Sequence, residues 1–153
     1  MTKALFIFML LTQLGVIYNN VQDECLKEKG LSVNEFRKES LEFQISDTNP
    51  KIGEYYLCVW KKRKIMLDDG SVDKDRYNDF FVRYIGGYRN FEIDEENRTD
   101  LIRILNSVVS YEGKNEVTQA INLMNGLKMG LFIITFSDRE VGTDPLELFL
   151  RLK

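Results

Sequence analysis

The sequence predicts an all-α protein, folded as a single compact domain of five to seven short helices. Apolar residues recur at helical spacing in successive segments, most regularly over residues 77–88. Helix-start signals stand in front of such segments, as at Ser32-Val-Asn-Glu35 and Asn49-Pro50. The length agrees, because the about 133 residues that follow a leader suffice for one core and are too few for two.

Residues 1–20 have the layout of a secretory signal peptide. Lys3 precedes an apolar run over residues 4–11 that is short for a bilayer span and is followed by polar residues. Cleavage is expected near Asn19-Asn20-Val21, and an uncleaved anchor helix is the alternative. After this leader, no second apolar run is expected to be long enough to span a membrane. The sequence therefore predicts a soluble, secreted domain over residues 21–153, without stable membrane insertion.

The chain contains two cysteines, Cys25 and Cys58. A secreted protein passes through an oxidising compartment, so these thiols are expected to be paired rather than free. The sequence therefore favours one disulfide in an extracellular protein.

Three helices are predicted in the first half of the domain. The first begins near Val21 and is interrupted by Gly30. The second follows the capping box that opens at Ser32. The third begins at Pro50, since proline suits a first helical turn. An Asp-Gly turn over residues 67–71 ends this half.

A fourth helix and an acidic loop are predicted next. Asp73 is a candidate cap for the helix, and Gly86-Gly87 is expected to end or loosen it. The loop is placed over residues 91–100 and contains Asn97-Arg98-Thr99, an N-glycosylation acceptor triplet with Asn97 as the candidate site. The alternative is a fortuitous triplet near a helix start, with Thr99 as the cap.

Two further helices and an apolar tail complete the domain. Apolar residues share one helical face over residues 101–109 and again over 117–127, with a break at Glu112-Gly113-Lys114. Residues 131–153 form an unusually apolar tail. Residues 131–136 within it fit a buried helical turn or an extended segment, and periodicity does not decide between the two.

Composition argues against several classes of function. The chain has no histidine, which removes Ser-His-Asp and Cys-His nucleophiles and the commonest transition-metal ligand. We therefore expect no enzyme activity, no metal and no cofactor. A net charge of −3 without a basic stripe argues against nucleic acid as a partner. Residues 61–64 are basic but spread round a helix, and we interpret them as a solvated helix end.

Three segments resemble the insect odorant-binding proteins, the pheromone and general odorant-binding family. The segment Cys25-Leu-Lys-Glu-Lys-Gly-Leu-Ser32 is similar to the family's first cysteine and the capped helix after it. The segment Tyr55-Tyr-Leu-Cys58-Val-Trp-Lys-Lys62, followed by Leu67-Asp-Asp-Gly70, is similar to the family's third cysteine and the next turn. Asn115-Glu-Val-Thr-Gln-Ala120 resembles a degraded form of a later segment. The resemblance runs from Val21 to about Met129.

The resemblance implies a specific pairing of the cysteines. The family has six, paired first to third, second to fifth and fourth to sixth. Four of those positions lack cysteine here, falling at Glu54, within residues 107–110, and near Val117 and Gly126. The two that remain are partners in the family scheme. The resemblance thus implies a disulfide between Cys25 and Cys58 in a cysteine-depleted member.

The resemblance also implies a function. Helices of this family surround an apolar cavity, so we expect a secreted carrier of a small hydrophobic ligand such as an odorant, pheromone or lipid-like molecule. The alternative is a secreted interaction protein of venom or salivary type that keeps the fold and binds a protein partner, and a receptor as partner and the oligomeric state are left open. Cavity-lining candidates are large apolar residues on helix faces, each of which can equally be ordinary core: Phe80, Phe81, Tyr84, Leu105, Val109, Met124, Phe132 and Phe136.

Overall fold

The computed structural model describes residues 19–40, 42–46, 48–89 and 93–137. These residues form six helices. Residues 1–18 of the predicted leader and 138–153 of the predicted tail lie outside the described ranges. The all-α prediction is confirmed, and the only β-pairing in the described part is an isolated bridge between Met66 and Val72. The helices are α1 (Asn19–Glu28), α2 (Val33–Ser40), α3 (Pro50–Lys62), α4 (Lys74–Arg89), α5 (Glu95–Val108) and α6 (Glu116–Ser137).

Helix α1 ends where the sequence placed its break. Gly30 has a φ of +58°, a left-handed conformation that glycine adopts without steric cost. The Leu31 amide donates to the Leu26 carbonyl, and the Gly30 amide donates to the Lys27 carbonyl. These bonds give partners to carbonyls in the last turn of the helix. Leu31 is buried, so this cap turns the chain back toward the core.

The Cys25–Cys58 disulfide is present and joins α1 to α3, with the two Cα atoms 5.8 Å apart. The prediction of one disulfide is therefore confirmed. A second link runs beside it, because the Lys62 ammonium contacts the carboxylates of both Glu24 and Glu28. The two links fix α1 along the outer side of α3.

The core is centred on α6, which packs against α3 and α5, while α4 packs against α5. Gly53 permits the closest approach, since a Cβ atom there would lie 2.3 Å from Cγ1 of Val117. Gly126 does the same for the end of α5, where a Cβ atom would lie 2.7 Å from Cγ2 of Val109. Larger residues at these two positions would separate the helices.

Helix α6 is a single helix of 22 residues, so the open question about residues 131–136 is answered as helix. Its segment Glu116–Thr135 is long and apolar enough to cross a membrane by length and composition. This corrects the expectation that no second apolar run reaches that length. Of this span, 56% is buried inside the protein, which is the pattern of a central core helix.

The loop prediction before α5 is wrong, and the predicted end of α4 is met within two residues. Helix α4 continues through Gly86-Gly87 and ends at Arg89. The expected loop over residues 91–100 is largely helical, since α5 begins at Glu95 and its N-cap is Asp94, not Thr99. The acidic residues favoured a loop on composition, yet acids in a first turn also stabilise a helix through its dipole.

The glycosylation candidate Asn97 therefore lies in the first turn of α5. Its side chain is exposed, and its amide donates to the Asp94 carboxylate at 2.8 Å. The Thr99 hydroxyl donates to the Glu95 carbonyl. The triplet is thus part of a capped helix start, and glycosylation of Asn97 stays a prediction.

Candidate ligand-binding site

Four aromatic residues face one another between α3 and α4. Tyr56 and Trp60 lie one turn apart on α3, and Phe80 and Tyr84 lie one turn apart on α4. The Trp60 and Phe80 rings meet edge to face with centroids 5.5 Å apart, and the Phe80 and Tyr84 centroids are 6.2 Å apart. Tyr84 is also close enough to Tyr56 to contribute to the raised pKa of the Tyr56 phenol. We call these four residues the α3/α4 aromatic face.

Large side chains span the distance between the two helices at this face. Among the described residues, the backbones of α3 and α4 make little contact, whereas α3 packs closely on α6. The helices therefore meet through rings rather than through close backbone contact. Such rings present flat apolar surfaces, which suit contact with an apolar molecule.

Helix α2 covers the Tyr56 end of the face. Phe36 packs on Tyr55 with centroids 4.7 Å apart and on Tyr56 at 6.3 Å. No residue of α2 is fully buried. The capping box predicted at its start is confirmed, because the Ser32 amide donates to the Glu35 carboxylate at 2.9 Å and the Glu35 amide donates to the Ser32 hydroxyl at 3.2 Å. The helix is thus locally well formed but shallowly packed.

The Tyr56 hydroxyl is a buried polar atom of the site. The residue is 3% exposed, and its hydroxyl has no hydrogen-bond partner. Burial raises the pKa of this phenol, with smaller contributions from Tyr55 and Tyr84. The group is therefore a neutral donor and acceptor held in apolar surroundings.

Neighbouring buried rings have their polar atoms satisfied. The Trp60 indole Nε1 donates to the Ala120 carbonyl at 3.0 Å, and the Tyr77 hydroxyl donates to the Leu123 carbonyl at 2.6 Å. Both acceptors are backbone oxygens of α6. Tyr56, on the α2 side of α3, differs from these two in lacking such an acceptor.

The basic run over residues 61–64 spreads in separate directions, as expected for a helix end. Lys61 pairs with Glu116 at 2.8 Å, and Lys62 reaches α1. The guanidinium of Arg63 lies over the Phe80 ring, 5.0 Å from its centroid, which places a cation at the rim of the aromatic face. Helix α3 ends at Lys62, Lys62 and Lys64 are exposed, and Lys61 and Arg63 are partly buried, so the run lies at a helix end that is largely solvated, as predicted.

A strap formed by residues 42–46 crosses α6 on another side of the domain. The Asn125 amide group accepts from the Ile45 amide at 2.8 Å and donates to the Ile45 carbonyl at 3.1 Å. The Lys128 ammonium donates to the carbonyls of Ser40 and Glu42 at 2.9 and 2.8 Å. Burial lowers the pKa of Lys128 to about 8, opposed by the charge of Glu42. These bonds hold the connection between α2 and α3 on the core.

The predicted cavity-lining residues fall into separate groups. Phe80 and Tyr84 belong to the aromatic face. Phe81 and Leu105 are fully buried, and both lie within 4 Å of the place a Cβ atom would occupy at Gly130 of α6.

The remaining candidates lie elsewhere. Val109 packs at Gly126, and Met124 is partly buried against the core. Phe132 meets Phe43 of the strap edge to face, with centroids 5.1 Å apart. The side chain of Phe136 lies outside the described residues. That these residues together line one cavity stays a prediction.

Sequence reasoning did not select Tyr56 or Phe36. Both lie on the apolar sides of their helices. A buried tyrosine differs from phenylalanine only by one hydroxyl, and no spacing reveals whether that hydroxyl finds a partner. The signal available was the adjacent pair Tyr55-Tyr56 within an otherwise apolar stripe.

One cluster has ligating atoms close together without the chemistry of a metal centre. The sulfurs of Cys25 and Cys58 and a carboxylate oxygen of Glu28 lie within 4.8 Å of one another. The two sulfurs are bonded to each other, and thiolates rather than disulfides bind metals. Lys62 already occupies the Glu28 carboxylate. The cluster is a structural link between α1 and α3.

Comparison with protein-family models matches residues 9–107 to the PBP/GOBP family. The chain belongs to the PBP/GOBP family. The match includes α1 to α4 and nearly all of α5, and with them the disulfide and the aromatic face. No curated protein and no solved structure matches the chain.

As a member of the PBP/GOBP family, the chain is related to binding proteins and not to enzymes. The family assignment drawn from the two cysteine segments is confirmed. The third segment, residues 115–120, lies beyond the matched range. Within the matched range, the aromatic face is where apolar surface, a cation and an unpaired polar group come together.

Proposed function

We propose that the protein is a secreted carrier that binds a small hydrophobic molecule, such as an odorant, a pheromone or a lipid-like compound, at the α3/α4 aromatic face. Membership of a ligand-binding family supports the class of function. The observation that carries the location is the facing of two aromatic pairs, Tyr56 with Trp60 and Phe80 with Tyr84, between helices that stay apart at the backbone.

The energetics fit an apolar ligand. Aromatic walls supply large contact area with little loss of side-chain freedom, and the ligand gains about 25 cal/mol for each Å² of apolar surface removed from water. Phe36 is the main α2 side chain over this face. Because α2 has no fully buried residue, displacing it exposes less apolar surface than displacing any core helix. Ligand access is therefore proposed at the α2 side.

Secretion is part of the proposal. The leader over residues 1–20 and the Cys25–Cys58 disulfide support passage through an oxidising compartment. Mass spectrometry of protein secreted from eukaryotic cells would give the mature N-terminus, expected near Asn19-Asn20-Val21. The same spectra would show whether Asn97 carries a glycan.

Trp60, the chain's single tryptophan, makes binding measurable, and two variants then test the location. N-phenyl-1-naphthylamine absorbs where tryptophan emits, so binding nearby should quench Trp60 by energy transfer. We expect saturable quenching in the wild type. A Phe80→Ala change should weaken binding by about 5- to 20-fold through lost apolar contact.

Phe43→Ala is the matched control. It removes an aromatic ring of the same size that contacts Phe132 on the other side of the domain, and it should leave the affinity unchanged. Absence of saturable probe uptake would contradict the carrier function and favour the protein-partner alternative. Loss of affinity in Phe43→Ala but not in Phe80→Ala would move the site to Phe132.

A further inference from the structure

We infer that the Tyr56 hydroxyl is the polar anchor of the ligand site, and that it selects apolar ligands carrying a hydrogen-bond acceptor such as a ketone, aldehyde or ester carbonyl. This inference rests on the proposed function and adds the chemical class of the ligand. It is carried by the one aromatic hydroxyl among the described residues that is buried without a partner.

An unpaired buried hydroxyl is costly, so its presence calls for an occupant. Most buried side-chain polar atoms in native proteins have a hydrogen-bond partner, and a buried hydroxyl without one lowers the stability of the fold. The two other polar ring atoms buried nearby, on Trp60 and Tyr77, follow this rule through α6 carbonyls. The Tyr56 ring packs against two other aromatic rings, those of Phe36 and Tyr55.

The chemistry of the group selects the ligand. Desolvation keeps the phenol protonated far above neutral pH, because it raises the pKa of Tyr56 well above 10. A protonated phenol in an apolar site donates one hydrogen bond to a ligand oxygen. A ketone accepts that bond without bringing a hydrogen of its own that would need a second partner. An alkane of equal length would fill the same apolar walls and leave the hydroxyl unpaired.

The test compares two ligands on two variants. Affinities of 2-undecanone and n-undecane are measured by displacement of N-phenyl-1-naphthylamine in the wild type, Tyr56→Phe and Tyr77→Phe. Tyr56→Phe should weaken the affinity for 2-undecanone by about 3- to 10-fold, which corresponds to one neutral hydrogen bond. It should leave the affinity for n-undecane unchanged. Tyr77→Phe loses a hydroxyl already bonded to Leu123, so it should keep the wild-type preference for the ketone.

Thermal unfolding of the ligand-free proteins gives a second readout. Tyr56→Phe removes an unsatisfied group and should raise the Tm by a few degrees, whereas Tyr77→Phe removes a satisfied one and should lower it. A lower Tm for Tyr56→Phe would mean that the hydroxyl already has a partner such as an ordered water, and would overturn the inference.

The ligand results separate the remaining outcomes. If Tyr56→Phe weakens both ligands equally, Tyr56 shapes the wall and the inference is wrong while the carrier function stands. If it weakens neither, the hydroxyl does not contact the ligand and the inference is again wrong. If the wild type takes up no probe and binds neither ligand, the proposed function fails and the anchor role fails with it.

Discussion

Two sets of aromatic residues around α3 are built from similar side chains and differ in their polar chemistry. On the α6 side, the Trp60 indole and the Tyr77 hydroxyl each donate to a carbonyl of α6. On the α2 side, Phe36 packs against Tyr55 and Tyr56, and the Tyr56 hydroxyl has no partner. The contrast separates polar ring atoms that the fold itself satisfies from one that we propose a ligand satisfies.

The two sides also differ in how firmly they are covered. Helix α6 runs through the core, with Leu123 and Ile121 almost fully buried. Helix α2 contributes no fully buried residue and is held at its end by Lys128 and at its middle by Phe36. Local opening is expected first where few apolar contacts are made. The structure therefore points to the α2 side as the more mobile one.

The largest expected effect comes from removing one ring on each side. Phe81→Ala should lower the free energy of unfolding by about 3–5 kcal/mol, because Phe81 is fully buried against Gly130 and near Leu105. Phe36→Ala removes a half-buried ring and should cost about 1–2 kcal/mol. Urea denaturation of both variants measures the difference, and equal losses would contradict the comparison.

The disulfide should come next in size. Its removal by Cys25→Ala with Cys58→Ala frees a loop closed by a sequence separation of 33 residues, and the expected loss is about 3.5 kcal/mol in the chain-entropy model. Because the bond holds α1, which leads into α2, amide exchange should rise more in α2 than in α6. Hydrogen-exchange mass spectrometry would show this, and a uniform rise would contradict it.

A smaller effect should appear on the α6 side as the pH is raised. Burial lowers the pKa of Lys128 from its ordinary 10.5 to about 8, so between these values the unfolded state binds more protons than the folded state. Stability should therefore rise from pH 8 to pH 10, by at most about 2 kcal/mol. Above pH 10 the buried tyrosines oppose this, since the unfolded phenols lose protons first.

Lys128→Met is the control for that trend, because it keeps an unbranched side chain and removes the titrating group. Its free energy of unfolding should show no rise between pH 8 and pH 10 in urea titrations. A rise of the same size in this variant would assign the effect to other groups.

The smallest effect is expected for ligand affinity near neutral pH. The chain has no histidine, and the pKa of the Tyr56 phenol is far above this range. Affinity for 2-undecanone should change less than about twofold between pH 7 and pH 6. A large drop over that interval would show a titrating carboxylate that controls the site.

The sequence predicted the fold well where local signals decide it. The Ser32–Glu35 box, Pro50 and the Asp73 cap mark the starts of α2, α3 and α4 as expected. The failure at α5 has a local cause, because the acids around Asp94 suit a loop and a helix N-terminus equally. Composition alone does not separate the two.

The candidate site was less predictable because it depends on contacts distant in sequence. Phe80 and Tyr84 were selected as apolar residues on a helix face, and that property does not distinguish site from core. Whether the Tyr56 hydroxyl has a hydrogen-bond partner depends on where α2 and α4 lie around α3. The spacing of residues in the sequence does not predict that arrangement.

The most direct test of the central claim is the position of a bound ligand. Intermolecular nuclear Overhauser effects between 2-undecanone and the protein's aromatic ring protons would locate it in solution. We predict contacts from the ligand to Phe80, Tyr84 and Tyr56, with the carbonyl end nearest Tyr56. Contacts confined to Phe43 and Phe132 would contradict it.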